Sequence, residues 1–139
     1  MVTKELLFRK TSLPAVGKAL DASMLRSKAI AQNIANIDVP GYKRVEVTFE
    51  SDLQRALDKS KLRGTKTSDK HLDIGRKSIS KVHPDSYRPQ DLTNSSGVNN
   101  VDIDIENAKL AENQILFNYE VKLGGERFKA VQQAIKGRN

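Results

Sequence analysis

Cysteine is absent from this chain, and so is tryptophan. The first absence excludes disulfides and thiolate metal or catalytic sites, and is compatible with any compartment. The second, with an aromatic content of 5% and an apolar share of 37%, leaves little material for a deep apolar pocket. At 139 residues the chain is long enough for one domain with a modest core. Such a composition suits long two-faced helices joined by polar connections, or a subunit that completes its core against neighbours. No apolar run approaches the roughly 18 residues of a membrane span. The start, MVTKELLFRKTSLP, offers only Leu6 to Phe8 before Arg9-Lys10, which is short for a secretory signal. Any passage out of the cytoplasm is therefore expected to use another route, without a cleaved signal peptide.

The motifs of chemistry are missing too. There is no G-x-G-x-x-G, no Walker pattern and no G-x-S-x-G. His71 and His83 stand twelve apart, and only His71 has a close acid, Asp73, so they read as loop residues rather than metal ligands. Asp102, Asp104 and Glu106 read as an acidic helix start, where the N-terminal dipole favours negative charge. No catalytic, cofactor-binding or metal residue is expected, and no small-molecule substrate. The chain does not read as an enzyme.

Net charge is +7, with a pI near 9.7. That balance suits nucleic acid or an anionic membrane surface. The cations of residues 51–100 are nevertheless scattered among acids, with few aromatics between them for base stacking. A solvated surface without a nucleic-acid partner is the better reading. A basic helical nucleic-acid-binding protein is the alternative from another class.

What the chain does have is two long helical patterns. Leu13, Val16, Leu20, Ser23, Ser27, Ile30, Ile34 and Ile37 alternate three and four apart, the seam of a coiled coil. Ser12 is placed as N-cap and Pro14 in the first turn. Two serines weaken the middle of this seam. The second pattern runs from about Asp104 to Lys136. Ile103, Asn107, Leu110, Gln114, Phe117, Val121, Gly124, Phe128, Val131 and Ile135 repeat the alternation, interrupted by Asn107 and Gln114. A second stripe, Ile105, Ala108, Ile115, Tyr119 and Leu123, lies beside it, and a helix apolar on two stripes touches more than one partner. Gly124-Gly125 within it reads either as a kink or as a close backbone crossing.

Between the helices, Val45 to Phe49 alternates with period two and predicts a short strand, and Ser51 to Ser60 a short helix. Residues 61–70 read as a polar, mobile loop. Leu72, Ile74, Ile79 and Val82 suggest a weak hairpin around Gly75, and residues 83–100 an irregular segment. The fold class that results is mainly α: long N- and C-terminal helices packed as an antiparallel coiled-coil pair, with an irregular middle holding short β elements. The divisions fall at 1–49, 50–100 and 101–139.

Two stretches are specific. QNIANIDVPGYKR, residues 32–44, places two amides inside an apolar stripe and then a forced turn. Asn33, Ile34, Ala35, Asn36, Pro40, Gly41, Tyr42 and Lys43 match the signature A-x-N-I-A-N-x-x-T-P-G-Y-K, with Val39 in place of Thr. NNVDIDIENAKLAENQILFNYEV, residues 99–121 and including Asn100, resembles the opening of a C-terminal helix, N-N-V-D-x-D-x-E. Both stretches resemble flagellar axial proteins, and with the length of the chain they resemble the proximal rod members; one of those is favoured, and a second, close to it in size, is the alternative. The resemblance covers both ends and little of the middle.

It implies a structural subunit of the bacterial flagellar basal-body rod. Such proteins leave through the flagellar type III export apparatus and assemble in the periplasm into a helical drive shaft. Their partners would be other rod proteins, copies of the same chain, the adaptor FliE and the inner-membrane ring. The expected assembly surface joins the turn motif, with Asn100 and Asn107, to Leu110, Gln114, Phe117, Val121, Phe128, Val131 and Ile135. Within the motif, Asn33 and Asn36 are expected to hydrogen-bond the backbone of an adjacent segment or subunit and fix register. Gly41 would supply positive φ, and Tyr42 would face a neighbour. The plainer reading makes Asn36 a helix C-cap and packs Tyr42 on its own helix.

Overall fold

A computed structural model describes residues 12–58, 68, 78–90 and 99–137. Helix α1 spans Leu13–Ala35 and helix α3 spans Ile103–Lys136, and the two pack against each other. The pairing is antiparallel: Asn33 near the end of α1 meets Glu106 near the start of α3, and Val16 meets Gly124 at the other end. Between them lie strand β1 (Glu46–Thr48), helix α2 (Glu50–Leu57), a 3-10 turn (Ile79–Lys81) and strand β2 (Asp85–Tyr87).

Local chemistry sets the ends of the helices. Pro14 sits in the first turn of α1, where a missing N–H is harmless. Ser12 occupies the cap position, but its hydroxyl makes no capping bond; its carbonyl accepts from Val16 N at 3.0 Å. Asp102 caps α3 in full, accepting from Asp104 N at 2.9 Å and Ile105 N at 3.2 Å. Gly137, at φ 64°, closes it in the left-handed region. At 34 residues α3 is roughly 50 Å long.

The apolar core is small. Phe49, Ala22, Ala56 and Val82 are buried together, and Ala19, Leu53 and Ile79 pack on them. They fasten α2 and the 3-10 turn to the middle of α1. Of the hairpin expected around Gly75, residues 71–77 lie outside the described residues; Ile79 is in the 3-10 turn and Val82 follows it into the core. The strand that pairs with β1 is β2, inside the segment read as irregular. It runs antiparallel, with Glu46 opposite Tyr87, Val47 opposite Ser86 and Thr48 opposite Asp85. β2 is exposed along its length, so it carries no period-two apolar signal to read.

Helix α3 runs unbroken through Gly124-Gly125. A Cβ on Gly124 would stand 3.4 Å from Val16 Cγ1, whereas one on Gly125 would meet nothing. Gly124 is therefore the close crossing. Gly125→Ala is expected to stabilise the subunit by about 0.5–1 kcal/mol, through helix propensity alone. Gly124→Val, whose branches would press on Val16, is expected to destabilise it. Thermal unfolding of the two variants checks this pair.

Candidate assembly site

The end of α1, the turn after it and the entry to α3 are tied together by asparagines. Asn33 is 1% exposed and uses its whole amide. Its Oδ1 accepts from Val45 N at 2.8 Å and from the Tyr42 hydroxyl at 3.1 Å. Its Nδ2 donates to Val45 O at 2.9 Å and to Glu106 Oε2 at 3.0 Å. Asn99 donates to the carbonyls of Asn36, Ile37 and Val39, and accepts from Val101 N at 2.9 Å. Asn100 Oδ1 accepts from Arg44 N at 2.8 Å. The turn at 36–44 is thus held from both sides, with Tyr42 N bonded to Val39 O and Gly41 at φ 71°.

Three expectations separate here. Asn33 does bond the backbone of an adjacent segment, within the same chain. Asn36, within the chain, is the C-cap of α1, and its amide folds back to Gln32 O at 2.7 Å. Tyr42, half-buried after the turn, donates its hydroxyl to the buried Asn33 Oδ1 of α1. Ile34 is half-buried, and Pro40, Gly41 and Lys43 lie exposed at the turn.

The contact between α1 and α3 continues in polar residues. Asn113, 1% exposed, donates to Ser23 O at 2.9 Å and to the Ser27 hydroxyl at 2.8 Å. Ser23 donates to Glu120 Oε2 at 2.8 Å. The serines that looked like weak points in the seam are its hydrogen-bonding partners. Glu106, read as a helix-start acid, is 1% exposed. Nothing in the apolar period announces Glu106, Asn113 or Asn99; the runs of amides, NN at 99–100 and N-x-x-N at 33–36, are the one signal that could have.

The seam predicted for α3 only skirts α1: Gly124 meets Val16, while most of its large apolar side chains lie outside the contact. Glu106 and Asn113 are the buried residues of α3. Leu110, Val121, Phe128 and Ile135 are exposed, with Phe117 and Val131 half-buried. Asn107 and Gln114 are exposed, and Gln114 bonds Asn118 one turn on. Ile115 and Tyr119, on the second stripe, are 70% and 63% exposed. Exposed apolar side chains thus run along much of the length of α3.

Glu46 fastens the hairpin to α3. It bonds Arg44 Nη1 at 3.0 Å, Lys109 Nζ at 2.8 Å and the Tyr87 hydroxyl at 2.8 Å. Burial pushes its carboxyl up, but Lys109, Tyr87 and Arg44 together outweigh that and hold it below its ordinary 4.5. A carboxyl lowered in the folded state contributes stability above its unfolded pKa and loses it as pH falls through the folded value. Wild type is therefore expected to lose stability as pH drops below about 4.5. Glu46→Gln should be less stable at pH 7, and the difference from wild type should shrink in acid. Urea unfolding at pH 7 and pH 3.5 measures both.

Among the described residues no cluster of acids and histidines could hold a metal. His83 contacts the Lys18 amine at 3.2 Å; His71 lies outside the described residues. No helix among the described residues is long and apolar enough to cross a membrane.

The family model described as "Flagella basal body rod protein" matches residues 17–43, the stretch from α1 through the Pro40-Gly41 turn. A flagellar basal body rod protein FlgB of Borreliella burgdorferi is 38% identical over 122 residues, 84% of this chain and 90% of that protein. The chain belongs to the FlgB family of flagellar basal body rod proteins. FlgB of Borrelia hermsii is 35% identical, over 90% of this chain and 96% of its own length. FlgB of Bacillus subtilis is 32% identical, over 86% and 88%. These matches agree with the member that the motifs favoured, FlgB, and nothing supports the alternative of similar size, FlgC. FlgB proteins are structural components of the rod, so the family agrees with a chain built from two long helices around a small core.

Proposed function

We propose that this chain is a subunit of the proximal rod. It polymerises with copies of itself and with other rod proteins into the periplasm-spanning shaft that carries torque. It would sit at the rod base, beside FliE and the inner-membrane ring, after passing through the type III export apparatus without a cleaved signal. The supporting observation is the division of labour on α3. The intra-chain contact is made by Asn33, Glu106, Ser23 and Asn113, while Leu110, Val121, Phe128 and Ile135 stay outside. A subunit held together by hydrogen bonds keeps its apolar side chains for neighbours. The exposed turn at Pro40, Gly41 and Lys43 belongs to the same assembly surface, and residues 50–100 act as the variable segment between the two ends.

The test is to tag the chain in flagellated cells and purify basal bodies. The expected result is label at the base of the rod, with loss of rods and motility on deletion. Label confined to the cytoplasm, with steep salt-dependent binding to DNA, would favour the nucleic-acid reading instead.

A further inference from the structure

Beside the α1–α3 contact, a groove of about 430 Å³ opens between α1, β1 and α3. Ala29, Ile30, Val45, Val47 and Leu116 give it an apolar lining. Four carboxylates, Glu46, Glu50, Glu106 and Glu112, stand in its walls against two cations, Arg26 and Lys109. A 150 Å³ apolar cavity holds one benzene ring, so the groove has room for two or three large side chains. At the far end of the molecule the balance is reversed. Past Gly124, where α3 touches Val16, the last turns of α3 are exposed, with Phe128 58% and Ile135 65% accessible. Around them stand Lys122, Arg127, Lys129 and Lys136, against the single acid Glu126.

We infer that the distal end of α3 of one subunit docks in the groove of a second copy, seating Phe128 and Ile135 among Ile30, Val47 and Leu116. Glu46 is paired with Arg44 and Lys109 and Glu50 with Arg26, which leaves the groove a small negative excess that includes Glu112; the helix end is base-rich, so charge favours this occupant. The two surfaces differ. Such a heterologous contact does not close on itself in a dimer; repeated, it generates an open helical polymer. The inference rests on the rod reading and specifies which faces meet.

The decisive experiment uses two variants of the full chain in analytical ultracentrifugation. Leu116→Arg spoils the groove and keeps the helix end; Phe128→Asp does the reverse. Both positions are exposed in the subunit, so each variant should fold, with circular dichroism and thermal unfolding unchanged from wild type as the check. Wild type is expected to self-associate, more weakly as salt rises. Each variant alone should associate at least tenfold more weakly. An equimolar mixture should recover association but stop at heterodimers, since only one intact groove and one intact helix end remain to meet. Self-association of wild type without recovery in the mixture, or its loss through Ile115 and Tyr119 alone, would overturn the docking scheme and leave the rod reading standing. A wild type that stays monomeric at every concentration would also overturn it. Failure of the rod reading shows separately, as absence from purified basal bodies.

Discussion

Asn33→Ala is expected to destabilise the isolated subunit by about 3–5 kcal/mol. The change removes four hydrogen bonds at once, one to Val45 O, one from Val45 N, one from Tyr42 and one to Glu106. The bond to Glu106 matters most, because that carboxylate is buried and loses a direct donor. Hydrogen bonds to charged groups are worth about 1.5–3 kcal/mol, and stripping a partner from a buried charge costs about 3–5. Domains of this size hold roughly 5–15 kcal/mol in all, so much of the fold would be lost. Asn36→Ala should change stability by no more than about 0.5 kcal/mol, because that side chain bonds only Gln32 O among the contacts seen and lies at a helix end. Urea unfolding of both variants measures the contrast. Equal losses at the two positions, or no loss at Asn33, would show that the amides do not hold the ends together.

The second large effect belongs to assembly. The triple variant Ile115→Ser, Tyr119→Ser, Phe128→Ser should unfold like wild type, since the three side chains are 70%, 63% and 58% exposed in the subunit. Its incorporation into basal bodies, and motility with it, should be abolished. Burying each large apolar side chain at a subunit contact is worth about 1.5–3 kcal/mol. Three of them amount to a factor of at least about a thousand in association, at 1.4 kcal/mol per tenfold. Complementation of a deletion strain, scored by swimming and by basal-body content, reads the result. Normal motility would mean that these stripes face solvent in the rod.

Particular residues show what the sequence could and could not reveal. Both long helices, the Pro40-Gly41 turn with its positive φ and the strand near Val47 follow from local rules: period, capping and turn chemistry. The α1–α3 contact does not. Periodicity counts apolar residues, and the hydrogen bonds of this interface come from Ser23, a polar break in the seam, and from Asn33, Glu106 and Asn113, which lie off the seams altogether. The alternation of apolar positions along α3 is plain in the sequence, but within the chain it meets α1 at Gly124 and leaves Leu110, Val121, Phe128 and Ile135 exposed. Asn33 and Asn36 looked equivalent three residues apart. The helix ends between them, so one amide faces inward and the other caps. Strand β2 had no signal, since an exposed three-residue strand needs no apolar alternation.

Hydrogen exchange, followed by mass spectrometry on the purified subunit and on assembled rods, tests most directly whether α3 is finished only by other chains. In the solitary subunit, amides near Asn33 and Glu106 should be protected and those of residues 125–136 should exchange quickly; in the rod, both regions should be slow. Strong protection of residues 125–136 in the solitary subunit, unchanged on assembly, would contradict it.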